Sequence, residues 1–99
     1  MAKYSFSKKA VEDLANIWDY TVDNWSERQA DRYYQTLIDS CQAISNRPKL
    51  GKGYPEILEG LFGYRISQHI IFYQILESRE IEIVRILHSQ MDLKNRLSE

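Results

Sequence analysis

Apolar positions recur at intervals of three and four through the first half of the chain and at intervals of two through much of the second, with a stretch rich in glycine and proline between them. Lys3 to Phe6 alternates, with Tyr4 and Phe6 on one side, and predicts a short strand ended by Ser7, a good helix N-cap. From there Val11, Leu14, Ala15, Trp18, Val22 and Trp25 fall on one helical stripe, which predicts a helix over residues 8–25. Ser26 and Gln29 form an S-x-x-Q capping box, so a second helix follows at once over 27–46. Its stripe is Ala30, Tyr33, Tyr34, Leu37, Cys41 and Ile44, and Asn46-Arg47-Pro48 ends it. Two helices joined by so short a turn form an antiparallel hairpin.

Residues 46–63 carry all four glycines and both Pro48 and Pro55, which marks one substantial loop, pinned to the body by Ile57, Leu58, Leu61 and Phe62. Three β-rich runs follow, Tyr64 to Ser67, Ile70 to Leu76 and Ile81 to Leu87, separated by polar turns. The last run is apolar at Ile81, Ile83 and Leu87 on one side and at Val84 and Ile86 on the other, so both of its faces are expected to be covered. That places residues 81–88 centrally, paired on one edge with the preceding strand and on the other with the N-terminal strand. The expected architecture is a single α+β domain over residues 1–99, of order β-α-α-β-β-β, with the helical hairpin on one face of a four-stranded, largely antiparallel sheet. The tail from Ser89 to Glu99 is expected to add a partly ordered turn and little of the core.

Composition narrows the function classes. Thirteen Lys and Arg against fourteen Asp and Glu give a net charge of −1, unlike proteins that live on phosphate backbones. General or sequence-specific nucleic-acid binding is therefore disfavoured. The longest run of large apolar residues, Ile70 to Tyr73, is far short of the roughly 20 residues of a membrane span. A lone cysteine, Cys41, and an N-terminus without a signal-like apolar core point to the cytoplasm.

Candidate chemistry gathers on the β-rich half at Arg65, His69, Tyr73, Arg85 and His88. Two guanidinium groups sharing the sheet face away from the helices, with a histidine beside them, would suit phosphodiester cleavage: the arginines stabilise charge on the pentavalent phosphate and the imidazole moves a proton. The plainer reading pairs Arg65 and Arg85 with Glu56, Glu59 or Glu82 and leaves His88 satisfied at a strand end. No metal site is expected, since one Cys and two His offer only a loose His88 and Asp92 pair. Gly51-Lys52-Gly53 lacks the rest of a phosphate loop, Cys41 sits on an apolar stripe, and no cofactor is implied. The concentration of Tyr4, Phe6, Trp18, Tyr20, Trp25, Tyr33 and Tyr34 in the first strand and hairpin either fills the core or forms an apolar groove for a partner's amphipathic helix.

Four segments carry a resemblance to a known family. Tyr4, Phe6, Ser7, Ala10, Asp13 and Leu14 form an N-terminal Y-x-F-S-x-x-A-x-x-D-L pattern. Gly63-Tyr64-Arg65-Ile66 and the central Ile71-Phe72-Tyr73 follow, and the run Ile81 to Asp92 ends I-V-R-I-L-H-x-x-M-D. Together with the element order, these residues resemble ParE toxins of the RelE/ParE superfamily over nearly the whole chain. The resemblance implies the toxin of a type II toxin–antitoxin system, of the kind associated with plasmid maintenance, neutralised in a hetero-oligomer by a ParD-type antitoxin. It further implies a binding inhibitor of DNA gyrase rather than an enzyme. The RelE branch, which cleaves messenger RNA on the ribosome, is the alternative, but its members are usually strongly basic and end in a catalytic aromatic or histidine. Here Arg85 and His88 lead instead into Ser89, Gln90, Met91 and Asp92. A non-gyrase interaction module of the same fold is the third reading.

The expected antitoxin contacts are Tyr4, Phe6, Trp18, Trp25, Tyr33 and Tyr34. The expected target contacts are Arg65, Arg85, His88, Met91, Lys94 and Arg96, on the sheet end and tail.

Overall fold

The computed structural model describes residues 3–97. In chain order the elements are β1 (Tyr4–Phe6), α1 (Lys8–Asn24), α2 (Glu27–Asn46), β2 (Lys52–Gly53), β3 (Leu61–Ile66), β4 (His69–Ile75), β5 (Ile81–His88) and α3 (Leu93–Leu97). The strands form one sheet in the order β1-β5-β4-β3-β2. β1 runs parallel to β5 and the other pairs are antiparallel. The α+β order and the interior position of the last strand are as the pattern predicts. The difference is a fifth strand: Lys52 and Gly53, inside the glycine-rich stretch, pair with Gly63 and Phe62. Two residues are too short to show a period. β3 also starts earlier than expected, at Leu61, because Leu61 and Phe62, two of the four apolar residues expected to pin the loop, are strand residues themselves.

Both helix caps form as their residues predict: Ser7 Oγ accepts from the Ala10 N–H at 3.1 Å and Ser26 Oγ from Gln29 N–H at 3.0 Å. The buried face of α1 is not the predicted one. Ala10, Leu14 and Thr21 are buried and Ile17 half-buried, whereas Val11 is 54 % and Trp25 74 % exposed. The helix is turned about a quarter-turn from its most apolar stripe. Its phase is set at its start, where Ser7 donates its backbone N–H to Ile83 O at 2.9 Å and its hydroxyl to Val84 O at 2.7 Å. Thr21 is admitted to the interior because its hydroxyl donates to Ile17 O at 2.7 Å. On α2 the predicted stripe holds at Ala30, Leu37, Cys41 and Ile44, while Tyr34 is 42 % exposed.

One core lies between the hairpin and the sheet, built on Leu14, Leu37, Cys41, Ile44, Ile71, Tyr73, Ile81, Ile83 and Ile86. The faces of β5 differ from simple alternation. The ladder shifts register between Phe72 and Tyr73, pairing Phe72 with Arg85 and Tyr73 with Ile83, so Val84 is an extra residue. Past this bulge the parity reverses: Ile86 joins the helix-side core and Leu87 the opposite one, the inverse of the expected assignment.

That opposite core contains Leu61, Ile70, Phe72 and Leu87, covered by Tyr54 and Ile57 from the loop and by Leu93 and Leu97 from α3. The tail therefore does pack, contrary to expectation. Its apolar residues fall four apart, on one side of a short helix. The loop is held by the buried Tyr73 hydroxyl, which donates to Pro48 O at 2.7 Å and accepts from Gly51 N–H at 2.9 Å. A Cβ at position 51 would lie 2.6 Å from that hydroxyl, so this position requires glycine.

Candidate functional site

β1 ends at Phe6, and beyond it the edge of β5 would be left open. Instead the chain turns through Ser7 into α1, which lies along the second half of β5 and brings Asp13 to that edge. The Asp13 carboxylate accepts from the Ile86 backbone N–H at 3.0 Å, satisfying a strand donor that no neighbouring strand reaches. It also receives Arg85, with Nε at 2.8 Å and Nη2 at 3.1 Å, a fork-to-carboxylate pair in which both side chains are nearly buried. Arg85 Nη1 donates to Arg96 O at 2.8 Å, which ties α3 to the same point.

Beside this pair two imidazoles meet. His69 opens β4 directly across from His88 at the end of β5, and their rings stand edge-to-face with centroids 5.4 Å apart. His69 Nδ1 lies 2.6 Å from the Tyr33 hydroxyl of α2. Burial, and then the neighbouring His88, push the His69 pKa down to about 4 against a smaller opposing pull from Asp13. His69 is therefore neutral at physiological pH. His88 Nδ1 accepts from Gln90 N–H at 3.1 Å, which in the neutral ring leaves the proton on Nε2.

These residues line an open cleft of about 550 Å³ between α1, the His69/His88 end of the sheet and the start of the tail. Four of the six residues expected to meet a target are on its wall: Arg85, His88, Met91 and Arg96. The other two are elsewhere. Arg65 is exposed on β3, opposite Ile70, with β4 between it and Arg85, and Lys94 is exposed on α3. The paired-arginine face is thus not formed, and the partner of Arg85 is Asp13 rather than Glu56, Glu59 or Glu82. Asp13, Asn16, Ile17 and Tyr20 of α1 join the cleft, as do His69 and Gln90. Sequence reasoning left the α1 residues out because it turned the helix the wrong way.

The aromatic residues expected to meet an antitoxin divide. Tyr4 and Phe6 are half-buried, edge-on at 5.6 Å, and pack against the helix-side core with Tyr33. Trp18 is half-buried with its indole N–H directed to Asp31 Oδ1 at 3.4 Å. Trp25 and Tyr34 are exposed, and so is Val11, which periodicity had placed inside. Cys41 is fully buried, and burial pushes its thiol up to about 12, so it is a core residue. Among the described residues no cluster of three His, Cys, Asp or Glu could hold a metal, and no helix is long and apolar enough to cross a membrane.

Residues 4–93 match the family model of the ParE toxin of the type II toxin–antitoxin system parDE. The chain belongs to the ParE toxin family. Among curated relatives, Toxin ParE1 of Mycobacterium tuberculosis is 31% identical over 96 residues, covering 97% of this chain and 98% of that protein. Toxin ParE1 of Caulobacter vibrioides is 29% identical, covering 98% and 99%. Among solved structures, the chromosomal ParDE system from P. aeruginosa superposes with a TM-score of 0.76 at 21% identity, over 89% of this chain and 96% of that one. The RelBE2 toxin–antitoxin complex of M. tuberculosis gives 0.68 at 20% identity, over 88% and 96%. The ParE family thus shares its fold with a RelBE structure, and fold alone does not separate their targets.

Proposed function

We propose that this chain, acting as one toxin domain, inhibits DNA gyrase by binding it, performs no catalysis of its own, and is neutralised by a ParD-type antitoxin. The observation that carries the reading is the Asp13–Arg85 pair. The arginine that a nuclease would use to stabilise phosphorane charge is held by a carboxylate and by the Arg96 carbonyl. The neighbouring His69 is neutral and engaged with Tyr33, and Arg65 is too far across the sheet to help. What the cleft offers is a binding surface: exposed Tyr20 and Met91, the polar Asn16 and Gln90, and a rigid frame behind them. The P. aeruginosa structure is of a ParDE system, which supports an antitoxin partner of that type here.

The test is purified toxin with gyrase and plasmid, run beside a translating ribosome with messenger. Expected are loss of supercoiling, accumulation of cleaved plasmid, and intact messenger. Messenger cut only with the ribosome present, and abolished by Arg85→Ala with the fold retained, would replace this reading with the RelE one.

A further inference from the structure

Each of the two imidazoles on the cleft wall has one ring nitrogen committed to an internal partner. For His88 that partner fixes the tautomer: the Gln90 backbone N–H can only donate, so in the neutral ring Nδ1 is bare and Nε2 carries the proton. For His69 the distance decides. At 2.6 Å, the contact between Nδ1 and the Tyr33 hydroxyl is shorter than the roughly 2.7–3.2 Å of an N–H donor and within the roughly 2.5–3.0 Å of a hydroxyl donor. The other acceptor within reach of that hydroxyl, Ile66 O, is at 3.4 Å. Tyr33 therefore donates to Nδ1, and the His69 proton also sits on Nε2. Neither Nε2 has a partner among the described residues, and no partnerless side-chain nitrogen or oxygen among them is buried, so both N–H groups open to solvent. Two donors of fixed tautomer thus stand side by side on the cleft wall, on rings whose centroids are 5.4 Å apart.

The charges around the cleft favour an anion. Its lining holds one acidic residue, Asp13, and two basic ones, Arg85 and Arg96, whereas the whole chain carries −1. Asp13 is capped by Arg85, and Asp92, next to Met91, accepts from the Asn95 side chain at 2.7 Å. The bare Nε2 that a metal ion would need is absent from both rings. We infer that His69 and His88 receive a carboxylate, an aspartate or glutamate side chain of the protein target, which accepts from both Nε2–H groups while Ile17, Tyr20 and Met91 flank its stem. This rests on the reading of the chain as a binding inhibitor and names the group it recognises. A carboxylate offers two coplanar acceptors to the two donors, and hydrogen bonds to an ionised acceptor are roughly twice as strong as neutral ones. A nucleic-acid phosphate fits less well, because the chain lacks the basic excess that holds a phosphate backbone.

The probes are propionate, for an acidic side chain, and dimethyl phosphate, for a nucleic-acid backbone, each titrated into the full chain with isotope-labelled histidine rings. NMR first reads the tautomers. Both rings should carry the proton on Nε2 at neutral pH, and a proton on Nδ1 alone in either ring would overturn the inference. Propionate should then shift the Nε2 signals of both rings along one saturation curve, with dimethyl phosphate binding more weakly. Shifts on neither ring, or tighter binding of dimethyl phosphate, would overturn it as well. His88→Phe removes one donor and should weaken propionate binding about tenfold, whereas His88→Gln keeps an N–H near the place of Nε2 and should restore most of it. Circular dichroism confirms that both variants fold, and equal weakening by both would count against the donor role. In the supercoiling assay His88→Phe should require about tenfold more toxin for the same effect, with His88→Gln close to the unsubstituted chain. Propionate bound on both rings of a chain that leaves gyrase untouched would overturn the gyrase reading and leave the carboxylate site standing. Gyrase inhibition undiminished by His88→Phe would do the reverse.

Discussion

Replacing Asp13 by alanine removes three contacts at once: Arg85 Nε at 2.8 Å, Arg85 Nη2 at 3.1 Å and the Ile86 N–H at 3.0 Å. The Arg85 and Asp13 side chains are 13 % and 12 % exposed, so water replaces little of what is lost. Removing one partner of such a pair leaves a nearly buried charge uncompensated, at a cost of roughly 3–5 kcal/mol. The orphaned Ile86 N–H falls within that figure to the extent that water enters beside it. For a domain whose whole stability is about 5–15 kcal/mol, Asp13→Ala should be close to unfolding, with Tm lowered by roughly 15–30 °C. Asp13→Asn keeps an acceptor for the Ile86 N–H but still removes the counter-charge of Arg85, so it should cost less than alanine yet remain above about 1.5 kcal/mol. Urea unfolding of Asp13→Ala, Arg85→Met and the double variant gives the coupling, expected at about 1.5–3 kcal/mol. A coupling near zero, or an Asp13→Ala cost below about 1 kcal/mol, would refute the claim that this pair closes the edge of β5.

Stability should fall as pH is lowered from about 6.5 towards 4, because His69, held at about 4 when folded, takes up its proton more readily in the unfolded chain. His69→Gln should flatten the urea midpoint over that range, and an unchanged slope would sink the assignment. Tyr73→Phe removes the hydroxyl that bridges Pro48 O and Gly51 N–H and should cost about 1–2 kcal/mol by urea unfolding. Deleting residues 93–99 uncovers Phe72, Leu87 and their neighbours, so it should cost about 2 kcal/mol or more and raise binding of a hydrophobic dye. A truncated chain as stable as the full one would mean that α3 covers nothing. Cys41 should resist thiol reagents in the folded protein and react at the rate of global opening; prompt labelling would contradict its burial.

Most of the fold was legible where one signal dominated. The capping serines, the stripe of α2 and the two-sided last strand each fix an element by local chemistry. Three features escaped because tertiary contacts overrode the local pattern. The phase of α1 follows from Ser7 bonding to β5, a contact 77 residues away in sequence. The bulge at Val84 reverses the faces of β5 after the point where alternation alone would carry them. The tail packs because Leu93 and Leu97 find a sheet face that the helices leave bare. The cleft shows the same limits: Arg85, His88, Met91 and Arg96 were expected on one surface and do line one cleft, whereas Asp13, read only as part of a family pattern and as a solvated charge, is the group that holds Arg85 there.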